Sequence, residues 1–255
     1  MHSLGILGVG ELTEKVVRGL RRGGYTGAIR LSPRNQSRAI ALRDHFRCEV
    51  MPDNQAVADH SEILILGVRP DVVAQLAEEV SIAPDKTLIS LVAGMRLDAL
   101  ARHFPEASIV RAMLSYAAEI NSTTVVAYPP NNAVQQLLAP LGASIVLDNE
   151  NAFELATVAA CINGWFYFWL QDLQQWFTDK GMPAEQAKQL VLSNLQDCLA
   201  SARHNPTMSL EAIGRTIASP GTYTAKGLDA LQSQNAASPW TAACDAVLLG
   251  LKRES

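Results

Sequence analysis

The stretch Leu4-Gly5-Ile6-Leu7-Gly8-Val9-Gly10-Glu11-Leu12-Thr13 decides the fold. Its first half is an apolar run of strand length. From Glu11 the apolar positions change to helical spacing, with Leu12, Val16, Val17 and Leu20 along one face. Gly8 and Gly10 fall where strand becomes helix, which is the context a dinucleotide site requires. The first glycine permits a tight turn, and the second lets the backbone approach a pyrophosphate seated on the helix N-terminus. Glu11 and Leu12 open that helix and belong to the same candidate cofactor site, with the Glu11 carboxylate close to the phosphates. Thr13 stands where a third Gly or Ala is usual, so helix and strand are expected to approach less closely.

Working outward, apolar strand-like runs recur at residues 28–32, 62–68, 87–92 and 108–112, spaced by amphipathic helical stretches. Further strands are expected near 123–127 and 144–146. Strands buried on both faces and separated by helices indicate βαβ units, and right-handed crossovers then give an α/β, Rossmann-type doubly wound parallel sheet. After Asp148 the strand pattern ends, and helices are expected at 153–177, 184–202, 209–217, 223–233 and 239–251. The chain therefore divides into a nucleotide-binding Rossmann domain, residues 1–150, and an all-helical domain, residues 151–255.

The second strand ends in Leu31-Ser32-Pro33-Arg34-Asn35, with Arg38 one turn on. A site for NAD would place Asp or Glu there to hold the ribose 2′-hydroxyl. A hydroxyl beside a guanidinium suits a 2′-phosphate instead, because Arg binds phosphate oxygens in a charge-assisted, bidentate way. NADP (as NADPH) is the expected cofactor, with Ser32, Arg34 and Asn35 at its phosphate. Seven arginines and one acid, Asp44, lie between Arg21 and Arg47, which fits that reading.

Composition narrows the remaining classes. The chain has 255 residues, 48% hydrophobic and 18% charged, with a net charge of −4. The sequence pI near 5.7 argues against nucleic acid as a partner. No apolar run reaches the length of about 18 residues that spans a bilayer. The N-terminal residues lack a basic region or cleavage site, so a cytoplasmic protein is expected. The four cysteines are scattered and the five histidines show no ligand spacing, so no metal is expected. Cys161 is expected to be a buried, inert thiol. All four tryptophans lie after residue 150, and the run Trp165-Phe166-Tyr167-Phe168-Trp169 points around a whole helix. Most of it is expected in the core or at a subunit interface, with Trp165 or Tyr167 as the members able to line a pocket.

Several further segments carry a family resemblance. Val68-Arg69-Pro70 follows the third strand of the pattern. Ser90-Leu91-Val92-Ala93-Gly94 and Arg111-Ala112-Met113 close the next two, and Ala218-Ser219-Pro220-Gly221-Thr222-Tyr223-Thr224-Ala225-Lys226-Gly227-Leu228 opens a late helix. Together they resemble the pyrroline-5-carboxylate reductase family, over nearly the whole chain. The resemblance implies hydride transfer from NAD(P)H to the C=N carbon of a cyclic imino acid, and a helical domain that makes a homodimer or higher homo-oligomer. It adds Val68, Arg69, Pro70, Ala93 and Gly94 to the cofactor site. It places Ser219, Gly221, Thr222 and Tyr223 around the substrate carboxylate, and Thr224 at the imine nitrogen.

The chain also departs from that family. Where the family has Met-Pro-Asn-Thr-Pro, it reads Met113-Leu114-Ser115-Tyr116-Ala117. Where the family has a run of small pocket residues, it reads Cys161-Ile162-Asn163-Gly164-Trp165-Phe166-Tyr167. Ser115 then becomes a candidate substrate contact and Tyr116 a candidate proton donor. These departures keep two alternatives open, a reductase of a different imine or keto acid and a catalytically silent NADP-binding dimer. No Lys occurs between Lys86 and Lys180, which disfavours the lysine-dependent chemistry of β-hydroxy acid dehydrogenases.

Overall fold

A computed structural model describes residues 2–254. The chain divides into two compact units, residues 1–160 with 247–255, and residues 161–246.

The first unit is built on an eight-stranded sheet in the order β3-β2-β1-β4-β5-β6-β7-β8. Its strands are β1 (Leu4–Leu7), β2 (Ile29–Leu31), β3 (Glu49–Val50), β4 (Ile63–Leu66), β5 (Thr87–Ser90), β6 (Ser108–Met113), β7 (Thr123–Tyr128) and β8 (Gly142–Val146). Every pairing is parallel except β6 with β7, so the last two strands run against the rest. Strand order reverses between β1 and β4, which pair from Leu4 with Ile63 to Leu7 with Leu66. Such a switch point opens a crevice at the carboxyl ends of the strands.

Side chains alternate across the sheet and feed two cores. On one face Leu4, Ile6, Ile63 and Ile65 meet Val16, Val17 and Leu20 of α1 (Glu11–Arg22), and Leu42 of α2 (Gln36–Phe46). On the other, Leu7, Leu64, Leu66 and Leu88 meet Val57 of α3 (Asn54–Asp59), Val73 and Leu76 of α4 (Val73–Glu79), and Leu100 of α5 (Leu97–His103). The sequence pattern marks no element at β3, α3 or α6 (Asn132–Leu138), which run only two, six and seven residues.

The second unit is helical. It holds the later part of α7 (Glu150–Asp179), then α8 (Ala184–His204), α9 (Leu210–Ile217), α10 (Tyr223–Ser233) and the start of α11 (Ala237–Glu254). Ser209 caps α9 by accepting from the Ala212 N–H, and Thr222 caps α10 by accepting from the Ala225 N–H. Ala187 and Val191 are its buried apolar side chains among the described residues. No helix among the described residues is long and apolar enough to cross a membrane.

Candidate functional site

The glycine turn sits at the switch point. Gly8 has φ +96, and a Cβ there would lie 2.5 Å from Val68 Cγ1 and 2.9 Å from the Gly67 carbonyl oxygen. Only glycine fits both the conformation and the space. A Cβ on Gly10 would meet nothing nearer than the Gly67 oxygen at 3.8 Å, so this residue leaves its outward side open for an incoming group. Gly10 is also the residue before α1. Its own N–H is taken by Thr13 Oγ1 at 2.9 Å, while the Glu11 and Leu12 N–H groups have no acceptor among the described residues. A pyrophosphate would therefore meet Glu11 and Leu12 first.

Thr13 corrects the expectation of a looser helix and strand. It is buried, and its hydroxyl donates to the Gly8 carbonyl at 2.9 Å. The room for its methyl comes from Gly67 at the end of β4, where a Cβ would lie 2.2 Å from Thr13 Cγ2. The small residue has moved from helix to strand, and the close approach is kept.

Ser32 lies buried at the end of β2, and its Oγ accepts from the Gly8 N–H at 3.1 Å. It braces the glycine turn. Arg34 is exposed beside it and has no ion pair among the described residues. Asn35 caps α2, its Oδ1 accepting from the Arg38 N–H at 3.4 Å. Arg38 pairs with Glu14, which also takes Arg18 at 2.7 Å. Most of the local arginine excess is spent on the fold. Arg21 donates to the carbonyls of Phe46, Tyr25, Gly27 and Arg47, Arg30 pairs with Glu49, and Arg43 pairs with Asp44. Arg34, two residues past the buried Ser32, keeps its guanidinium unpaired among the described residues.

The other strand ends contribute at the same edge. Val68 packs on Gly8, and Arg69 and Pro70 are exposed at the start of a short 3₁₀ turn. Ala93 is exposed after β5, and Gly94 follows it with φ +73, a turn that favours glycine. Beyond β6, Ser115 caps another 3₁₀ turn, accepting from the Ala117 N–H and lying 3.1 Å from Thr123 Oγ1. Tyr116 is half exposed on that turn.

Arg111, part of the Arg111-Ala112-Met113 segment, has a task that its sequence position alone does not assign. It is fully buried in the second half of β6. Its Nη1 reaches Glu150 at 2.8 Å and Glu154 at 2.5 Å, and the guanidinium lies 4.4 Å over the Phe153 ring. Arg96 adds a second cation on Glu150 at 3.1 Å. The signal was available, since an arginine inside an apolar strand needs buried acids, and Glu150 and Glu154 stand one helical turn apart.

In the second unit the Ser219-Pro220-Gly221 loop opens α10. Gly221 has φ +88, and Thr222 donates from Oγ1 to the Ser219 carbonyl at 2.8 Å while capping the helix. The Tyr223 and Thr224 N–H groups have no acceptor among the described residues, and both side chains are exposed. An open depression of about 750 Å³ lies here, lined by Arg215, Ser219, Pro220, Tyr223, Lys226 and Asp229 among others, with Thr224 outside its lining. Cys161 is half-buried rather than sealed away.

Comparison with known proteins agrees with both halves. Residues 3–94 match the family described as NADP oxidoreductase coenzyme F420-dependent. Residues 150–252 match pyrroline-5-carboxylate reductase dimerisation. Pyrroline-5-carboxylate reductase 2 of Bacillus subtilis is 24% identical over 249 residues, covering 91% of this chain and 87% of that protein. The fold matches pyrroline-5-carboxylate reductase of Streptococcus pyogenes, at TM-score 0.86 and 21% identity over 99% of this chain and 98% of that one. It also matches the Plasmodium falciparum pyrroline carboxylate reductase solved with NADP bound, at TM-score 0.87 and 19% identity over 99% and 98% of the two chains. With relatives aligned nearly end to end and two family matches in the order of the two units, this chain is similar over its length to the pyrroline-5-carboxylate reductases, and joins an NADP-oxidoreductase domain to a pyrroline-5-carboxylate reductase dimerisation domain.

Proposed function

We propose that the protein is an NADPH-dependent reductase of a cyclic imino acid, with pyrroline-5-carboxylate as substrate and proline as product. The observation that carries this reading is the opening of α10, where a capped helix start leaves the Tyr223 and Thr224 N–H groups turned to solvent. Two unpaired donors at a helix N-terminus suit a carboxylate. Ser219, Gly221 and Thr222 shape that turn, and the Thr224 hydroxyl is assigned to the imine nitrogen.

Bound NADPH supplies the hydride to the C=N carbon. The chain's part is position and electrostatics. Gly8 and Gly10 keep the backbone low, Glu11 and Leu12 offer N–H groups, and Arg34 takes the 2′-phosphate while Asn35 fixes the start of α2. Val68, Arg69, Pro70, Ala93 and Gly94 line the same edge of the sheet. In this reading residues 1–150 hold the cofactor, and residues 151–255 hold the substrate and the contacts of a homodimer. The free state of all four cysteines supports a cytoplasmic setting.

A second reading is favoured by one observation. After Met113 the chain offers a buried Leu114, a Ser115 occupied in capping, and an exposed Tyr116 in place of the family's Asn and prolines. A pocket so altered suits a different imine or keto acid, with Tyr116 as proton donor.

The test is NADPH consumption with pyrroline-5-carboxylate, wild type against Thr224→Ala and Tyr116→Phe. Proline formation that loses most of its kcat in Thr224→Ala, with NADPH affinity kept, is expected. Wild-type rates from Thr224→Ala would remove that residue's role. NADPH binding without pyrroline-5-carboxylate turnover, together with turnover of a larger cyclic imine that falls in Tyr116→Phe, would establish the second reading. Binding without turnover of any imine or keto acid would make the protein silent.

A further inference from the structure

Two cysteines in the helical unit stand one turn from a single aromatic cluster. Trp240 of α11 packs against Trp165, Phe166 and Trp169 of α7, with ring centroids 6.4, 5.7 and 6.5 Å apart. α7 leaves the first unit after residue 160 and α11 re-enters it at residue 247, so the two helices run in opposite senses, and the cluster fixes their register. One turn before Trp165 on α7 is Cys161, and one turn after Trp240 on α11 is Cys244. Stepping four residues back along one helix and four forward along its antiparallel neighbour keeps the same level and the same face. The two thiols are therefore brought to the same level on facing sides of the two helices. Burial pushes the Cys161 thiol up, and Cys244 adds to the rise. Both are half-buried, and neither has a hydrogen-bond partner among the described residues.

We propose that Cys161 and Cys244 form a modification site, a dithiol that closes reversibly to a disulfide joining α7 to α11. The oxidant is a low-molecular-weight disulfide such as oxidised glutathione. The Cys244 thiolate attacks one of its sulfurs, forming a mixed disulfide and releasing one glutathione thiolate. Cys161 then loses its proton to solvent, attacks the Cys244 sulfur and releases the second glutathione. The two cysteines give up two protons and two electrons, and the glutathione disulfide takes them. This order follows from the raised Cys161 thiol, which holds less thiolate for the first attack. Closure ties a long loop through α8, α9 and α10, including the start of α10. It does not depend on the reaction assigned above.

The test equilibrates the full chain with glutathione at a series of redox ratios, alkylates the free thiols, and identifies linked peptides by mass spectrometry without reduction. A peptide joining Cys161 to Cys244, loss of two of the four thiols, and a higher melting temperature for the oxidised protein are expected. Cys161→Ser should stall as a glutathione adduct on Cys244, and Cys198→Ser should leave the link intact. Retention of all four thiols, a wild-type adduct on Cys244 that never resolves, or a link through Cys198 would each overturn the proposal.

Discussion

The two units bury their apolar side chains in opposite ways. In the first, strands such as Ile63–Leu66 are sealed on both faces, and its cores close upon themselves. In the second, Tyr167, Phe168, Leu210 and Ile217 are 68%, 75%, 76% and 60% exposed. A helix apolar around its whole circumference belongs inside something. One fold is complete in a single chain, and the other is arranged as half of an interface, in keeping with its match to a dimerisation family.

The largest expected effect probes the self-sufficient unit. Arg111→Ala leaves Glu154 buried without a cation and should cost about 3–5 kcal/mol in chemical denaturation. The pair Arg111→Leu with Glu154→Leu should recover most of that loss, because no charge is then stranded. A single variant as stable as wild type would show that the first unit does not rest on this ion cluster. The next probes the incomplete unit. Phe168→Glu should weaken self-association by about 2 kcal/mol or more, read as a shift toward monomer in sedimentation, while the first unit keeps its NADPH affinity. An unchanged oligomer would show that the exposed apolar face around Phe168 lies outside the self-association surface. Arg34→Ala should weaken NADPH binding by about 1.5–3 kcal/mol and leave NADH binding alone. Equal losses for both nucleotides would remove the 2′-phosphate assignment.

The smallest effect is electrostatic. The Ser3 backbone N–H, with help from His2, holds the Glu62 carboxyl down to about 2 from an ordinary 4.5. A lowered folded value stabilises the protein above the ordinary value, and the contribution is lost as pH falls from about 4.5 toward 2. The group is exposed, so screening keeps this below about 1 kcal/mol. Glu62→Gln should therefore lower stability slightly at pH 7 and narrow its gap to wild type in denaturation at pH 3.

Much of the first unit was legible because apolar runs and turn glycines report directly on local structure. Gly8, Gly10 and the limits of Tyr223–Ser233 came from such local signals. What stayed hidden depended on partners distant in the chain. Ser32 reads as a free hydroxyl until the Gly8 N–H is seen upon it, and Arg38 reads as a phosphate ligand until Glu14 claims it. Arg111 inside an apolar strand signals a need for acids, but that they lie about forty residues away no spacing rule says.

The exchange of bulk between Thr13 and Gly67 constrains how this chain can change. Gly67→Ala alone would drive a new carbon into the Thr13 methyl at 2.2 Å, whereas Thr13→Ala first would open the space. Substitution at the nucleotide turn is thus ordered in time. The helix must shrink before the strand can grow, so ancestors and engineered variants should reach the common glycine pattern by one route and not the other.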